Sequence, residues 1–463
     1  MRNPAKLITG VLFCAALGAS TANAQSVRYV DDTATGADDG SSWCDAFPYL
    51  QDALAAAASS GGEIEELRIA QGTYWPDRGA DQMLGDQTVT FHLINGVALR
   101  GGYAGCGAPD SDDRDIASHE TVLSGDLAGD DTGDVDDPSR NENSFNVVRC
   151  TACDGSAVLD GVTVSGGNTT GVGGGMFNTT GAPTILTCTF TGNAADFGGA
   201  IANFAGSSPT IDRCTFSGNA ARSSTGGGGA IYNYDGSSPT VTNCLFTANS
   251  ADVGGGGGGA VRNSTDSSPS LVNCAFIANA AVYGGGMMSV IACNPTLVNC
   301  TFAANLTPVA NGRALAFASS EPFSPSNAVL TNCILWNDGL EILSLDGSTI
   351  TITHSDVLGG WPGDGNIDED PQFVDPDGDD FRLSIDSPCI DAGDNSVVTL
   401  PTDLDENPRI VAVTSPTVDM GSYEFQIGTQ IPTVSTWGLA VLVLLVPTAG
   451  TVLIRHRRTA GSG

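Results

Sequence analysis

The chain has 463 residues, 60 of them Gly, and its acids outnumber its bases 52 to 18. Five bases lie at the extreme ends (Arg2, Lys6, Arg455, Arg457 and Arg458), which leaves 13 Arg against 52 acids between residues 25 and 430. Such a body repels nucleic acid and anionic membrane surfaces. Its 42 Asp disfavour a helical bundle, while a hydrophobic share of 41% is enough for a packed core.

Residues 1–24 predict a secretory signal peptide. Arg2 and Lys6 form the positive region, Leu7 to Leu17 the apolar stretch, and Ala22-Asn23-Ala24 the cleavage site. The exported chain then begins near Gln25 and keeps 12 Cys in a compartment that permits disulfides. Residues 25–142 read as an N-terminal cap with the first coils of a repeating body. Cys44 and Cys106 lie in this non-repeating part and are the preferred disulfide pair. Cys150 and Cys153 form a C-x-x-C without the βαβ context of a redox motif.

Residues 143–345 repeat. Cys-x-Phe recurs at Cys188, Cys214, Cys244, Cys274 and Cys300, in steps of 26, 30, 30 and 26 residues, with a degenerate copy at Cys333. Three residues after each Phe stands an Asn: Asn193, Asn219, Asn249, Asn279 and Asn305. Between that Asn and the next copy lies a Gly run followed by an apolar pair, as in Gly198-Gly199-Ala200-Ile201. Each period holds short β-type runs broken by turns and no helical pattern. A unit of this kind cannot bury its own apolar residues, but stacked copies can. The prediction is an all-β protein, a parallel β-helix of about ten coils. Ile185, Cys188 and Phe190 can all face inward only if one bend residue interrupts the alternation. The residue before the Cys, Asn in four copies (Asn243, Asn273, Asn299, Asn332), suits the left-handed conformation that bend needs. The six Cys from Cys188 to Cys333 then form an inward column, read as buried thiols acting as apolar filler. The Asn of Phe-x-x-Asn makes a second turn whose amides can bond from coil to coil.

The Gly-Gly-Ala-Ile and Phe-x-x-Asn pairing resembles the repeats of polymorphic outer-membrane proteins, and the chain at large resembles bacterial right-handed β-helix proteins of the pectate-lyase-like fold. Arg28-Tyr29-Val30-Asp31, Gly36 to Trp43 and Ala46-Phe47 to Leu54 are similar to the opening of those proteins. The resemblance implies an amphipathic capping helix over about Asp45 to Ala58, with Phe47, Leu50 and Leu54 on one face. Residues 346–428 are expected to hold C-terminal coils and a closing segment. Gly365-Asn366-Ile367-Asp368, Ser387-Pro388-Cys389-Ile390-Asp391-Ala392-Gly393 and Val418-Asp419-Met420-Gly421-Ser422-Tyr423-Glu424 resemble a choice-of-anchor Q domain, which implies a surface anchor.

Residues 429–463 supply one. Trp437 to Ile454 is an uncharged run of 18 residues, about 27 Å as a helix, followed at once by Arg455, Arg457 and Arg458. With Ile431, Pro432, Thr433 and Trp437 ahead of and opening it, the block resembles an IPTL-CTERM sorting tail, although Val434 and Thr436 depart from the usual motif. Such a tail implies a bacterial envelope protein whose anchor a sorting peptidase removes; the plain alternative is a permanent single-pass membrane anchor.

For chemistry the sequence offers little. Outside the tail the histidines are His92, His119 and His354, and the chain holds neither Gly-His-Gly nor Arg-x-Lys. No catalytic residue is assigned, and the expectation is a non-enzymatic, exported, surface structural or adhesin-like protein. A polysaccharide lyase or hydrolase is the alternative and a carbohydrate-binding module the second, because one fold of this kind hosts many functions. Outward Phe177, Phe204, Tyr232 and Tyr234 are candidates for stacking on sugar rings. Asp375, Asp377, Asp379 and Asp380 are candidates for calcium, the one cofactor considered. Expected partners are the membrane through the C-terminal helix, glycans or another surface protein, and the sorting peptidase.

Overall fold

A computed structural model describes residues 26–251, 256–318, 324–410 and 417–426. The signal peptide, the sorting motif and the apolar span predicted at 437–454 lie outside these residues. Among the described residues no helix is long and apolar enough to cross a membrane.

Short runs of two to six residues, broken by Gly or by a left-handed residue, pair with the equivalent run one period later. The result is three parallel sheets of 11, 10 and 9 strands wound as a solenoid, with a fourth sheet of four two-residue strands at one corner. The first sheet runs unbroken from Val27–Val30 to Thr349–Thr353, so cap, repeats and last coil share one ladder. Register keeps like over like: Ile185, Ile211, Val241, Leu271 and Leu297 are successive partners in it. In the second sheet Phe190, Phe216, Phe246, Phe276 and Phe302 are successive partners, with ring centroids 4.4–5.3 Å apart. These residues and the Cys column are fully buried in one continuous core.

The bend before each Cys is left-handed in all six copies, with φ between 48° and 56° at Thr187, Arg213, Asn243, Asn273, Asn299 and Asn332. That single residue shifts the alternation by one, which is why Ile185 and Phe190 both face in. The Phe-x-x-Asn amides form the expected ladder. Nδ2 of Asn193, Asn219, Asn249 and Asn279 each donates to Oδ1 of the next Asn at 2.9–3.1 Å. Asn305 continues it to Asn337, and Asn337 to the buried carboxylate of Glu341.

The cap helix differs from expectation at its start. It spans Leu50–Ser59, burying Leu50, Ala53, Leu54 and Ala57. Phe47 instead pairs in parallel with Val30 as extended chain. Pro48 accounts for this, since a residue before proline is pushed out of the helical region.

The region 346–428 also differs in part. Coil structure ends at Asp356–Val357, and the chain beyond it covers the solenoid rather than extending it. Asn366 donates to the Ile352 carbonyl at 2.9 Å, and Trp361 packs on the end of the core. The chain then runs back along the flank: Phe381 packs on Ala275, Ile277 and Ala303, and Glu406 pairs with Arg213 at 3.6 Å. It returns to place Gly421 and Ser422 against Asn332 and Thr301. We call the segments 387–410 and 417–426 the clasp.

Candidate functional site: an aromatic lateral face and a buried acidic clasp

The third sheet presents alternate side chains to solvent. In register, its outward row reads His92, Arg149, Phe177, Ala202, Tyr232 and Arg262. One pleat along stand Phe204 and Tyr234. The four aromatic residues singled out from the sequence come together: Phe177 lies 5.7 Å from Phe204, which lies 5.7 Å from Tyr232 and 5.2 Å from Tyr234. Two residues join them that the sequence reading passed over. Phe197 stands 5.0 Å from Tyr232, and the Arg149 guanidinium lies over the Phe177 ring at 5.0 Å. Glycine makes this packing possible: a Cβ at Gly198 would stand 3.0 Å from the Tyr232 Cβ, and one at Gly227 2.8 Å from the Arg262 Cδ. Tyr232 is thereby buried, 6% exposed, whereas Tyr234 is 37% exposed and Phe177 and Phe204 are half-buried. Edge-to-face and tilted contacts of this kind suit ring quadrupoles.

Beneath this face runs a second amide ladder absent from the sequence reading. Asn178, Asn203 and Asn233 each donate Nδ2 to the next Oδ1 at 2.8–2.9 Å, and Asn263 donates to Ser289 Oγ. Its sequence signal is an Asn two residues after Met176, Ile201, Ile231 and Val261.

The clasp holds a cluster of buried ionisable groups. Arg409, 1% exposed, lies 3.6 Å from Glu424 and donates to the Gly421 carbonyl and to Asn273 Oδ1. Asp403 Oδ2 accepts the Glu424 amide at 2.7 Å, Glu424 accepts the Asp419 amide at 2.8 Å, and Asp419 accepts the amides of Asp391 and Phe425. Burial, then the neighbouring Asp419, pushes Glu424 up to about 9, and burial pushes Asp419 up to about 6. Burial likewise raises Glu341 and Asp356 to about 7. Asp356 accepts from the Cys389 thiol at 3.3 Å, so the Ser-Pro-Cys and Asp-x-Gly sequences are docking points for the clasp.

The predicted calcium set does not converge. Asp375 and Asp380 are cross-strand partners flanking a one-turn 3-10 segment, Pro376–Gly378, and Asp380 pairs with Arg382 at 3.0 Å. Asp-Pro-Asp-Gly here makes a tight turn in which Asp375, Asp377 and Asp379 are exposed. Among the described residues, one group of three or more carboxylate side chains brings its oxygens within 4.8 Å of one another: Asp126, Asp130, Asp131 and Glu142. Asp131 is already held by Arg140 at 2.8 Å and Asn143 at 2.9 Å.

A disulfide joins Cys44 to Cys106, with Cα atoms 5.0 Å apart, and another joins Cys150 to Cys153. The column from Cys188 to Cys333 is made of free thiols, each within 3.1–3.4 Å of the carbonyl two residues earlier. Burial drives the thiols of Cys188, Cys214, Cys274 and Cys333 well above their ordinary range, so they stay protonated.

Two family descriptions match the chain: "Right handed beta helix region" over residues 141–302 and 178–357, and "IPTL-CTERM motif" over residues 429–458. The chain is a right-handed β-helix protein with an IPTL-CTERM tail. That tail implies a sorting and processing system and supports an exported, cell-surface-associated β-helix protein. Among solved structures, the crystal structure of pectate lyase Pel9A is similar at 13% identity, over 87% of this chain and 98% of that one, with a TM-score of 0.43. No curated protein matches the β-helix protein.

Proposed function

We propose that this β-helix protein is a displayed, non-catalytic rod, structural or adhesive, held at the cell surface through its tail. The observation that supports this reading is where the most strongly perturbed carboxyl groups lie. Glu341, Asp356, Asp419 and Glu424 are all buried and each is engaged in structural bonds: Glu341 ends the amide ladder at Asn337, Asp356 ties the last coil to Cys389 of the clasp, and Asp419 and Glu424 bond within the clasp. Proton-transfer catalysis instead needs a perturbed group facing a substrate. A second reading, carbohydrate binding, is favoured by the continuity of the aromatic face. A lyase or hydrolase is the alternative that both replace.

The test uses the full-length protein in the envelope of a bacterial host. External protease or antibody should reach the rod on intact cells. Cells bearing it, supplied with neutral and acidic polysaccharides with calcium or with chelator, should release no more reducing or unsaturated ends than cells without it. Product above that control overturns the non-catalytic reading, and inaccessibility from outside overturns the display reading.

A further inference from the structure

The three faces of the solenoid are not equivalent. The outward side of the first sheet carries Glu66, Asp160 and Asp212, already paired with Arg68, Arg100, Arg114 and Arg213. The outward side of the second sheet is covered over its later coils: Thr301 is bonded to Ser422, and Ala275 and Ile277 lie under Phe381. The third sheet is left, and its row from His92 through Arg262 contains no acid, in a chain with 52 of them. On it Arg149 makes no ion pair among the described residues. Its guanidinium lies over Phe177, 5.0 Å from the ring centroid. Phe177, Phe204 and Tyr234 continue the surface across successive coils, with ring centroids 5.7 and 5.2 Å apart.

We propose that this face binds an uncharged polysaccharide chain laid along the solenoid axis, its sugar rings stacking on Phe177, Phe204 and Tyr234 and its hydroxyls accepting hydrogen bonds from Arg149. An array that steps from coil to coil, Phe177 then Phe204 then Tyr234, fits a linear polymer better than a compact partner. Aromatic rings offer apolar contact to the C–H faces of sugars, with a few polar groups fixing orientation. The charge distribution selects the class: a polyanion meets the repulsion of the acidic body, whereas an uncharged chain does not. This ligand class deepens the carbohydrate-binding reading and rests on it, and on the protein being displayed.

The experiment uses full-length protein in a detergent without a sugar headgroup. Binding is measured by affinity electrophoresis against a linear neutral β-glucan, a mannan, and polygalacturonate as charged comparator. Wild type should bind at least one neutral polymer, with an affinity unchanged by added salt. The double variant Phe204→Ala/Tyr234→Ala should lose roughly tenfold or more. Tyr49→Ala, an exposed tyrosine elsewhere, should bind as wild type, and Phe204→Trp, which keeps a ring, should retain binding that the double variant loses. Arg149→Ala should weaken binding without shifting the melting temperature. Absence of neutral-polymer binding overturns the proposal, as does equal binding by the double variant or binding of polygalacturonate alone. Surface accessibility on intact cells is scored separately, so a rod that is displayed but binds no glycan sinks this inference and leaves the display reading standing.

Discussion

Arg409 reaches across 136 residues of chain to donate a 2.8 Å hydrogen bond from Nη2 to Oδ1 of Asn273, an asparagine held at φ 55° in the bend ladder. Nδ2 of that amide donates to the Thr402 carbonyl at 2.7 Å and to Asn243 at 3.1 Å. One bend residue of the repeat is thus also the socket for the clasp, so coil stacking and clasp docking depend on each other.

Replacing Arg409 by Met should therefore loosen the clasp first. It takes the guanidinium away from the buried Gly421 carbonyl and Asn273 Oδ1 and leaves Asp403 and Asp419 without a nearby cation, and each stranded buried partner costs about 1–3 kcal/mol. The expected outcome is faster amide exchange across residues 387–410 with little change in residues 184–250, measured by hydrogen exchange. Uniform loss of protection along the whole solenoid would contradict a separable clasp.

Stability should fall as pH rises. Glu424 is raised to about 9 by burial, so the folded state holds its proton more tightly than the unfolded chain does. Its contribution is complete below the ordinary glutamate range and is lost progressively as pH climbs toward about 9. Glu341 and Asp356, raised to about 7, act in the same direction between their ordinary ranges and neutrality. The melting temperature should be higher at pH 5 than at pH 8, and Glu424→Gln should flatten the slope above pH 7. An unchanged slope in that variant would remove Glu424 from the account.

Asn249 bears four ladder bonds. It donates to the Phe216 carbonyl and to Asn279, both at 2.9 Å, and accepts from the backbone and side chain of Asn219. Asn249→Ala strands several fully buried partners, each costing about 1–3 kcal/mol. A loss of about 3 kcal/mol or more in denaturant melts is expected.

Ala248 offers the opposite sign. It is exposed and sits at φ 54°, where the two preceding coils have Gly192 and Gly218. An L-residue in that region is strained by about 1–2 kcal/mol, and glycine relieves the strain at some entropic cost. Ala248→Gly should stabilise by a few tenths to about 1 kcal/mol, read as a raised melting temperature, and Ala248→Val should destabilise.

The sequence by itself determined the solenoid, because every coil meets the same neighbours in the same register. One period of Cys188, Phe190 and Asn193 therefore states the environment of all its copies. The left-handed bend and the Phe-x-x-Asn ladder followed from parity and from the amide's capacity to bond to its own kind. The second ladder was equally periodic, but its Asn sits among varied neighbours, Phe177, Ala202, Tyr232 and Arg262, which mask the signal. Tertiary structure alone decided three things. It placed the clasp on the flank, since a bond such as Arg409 to Asn273 leaves no periodic trace. It opened the Asp375–Asp380 turn outward, since a turn sequence does not say where its carboxylates point. It also brought Phe197 and Arg149 to the aromatic face, since residues that meet only through stacked coils are neighbours in space without any fixed spacing along the chain.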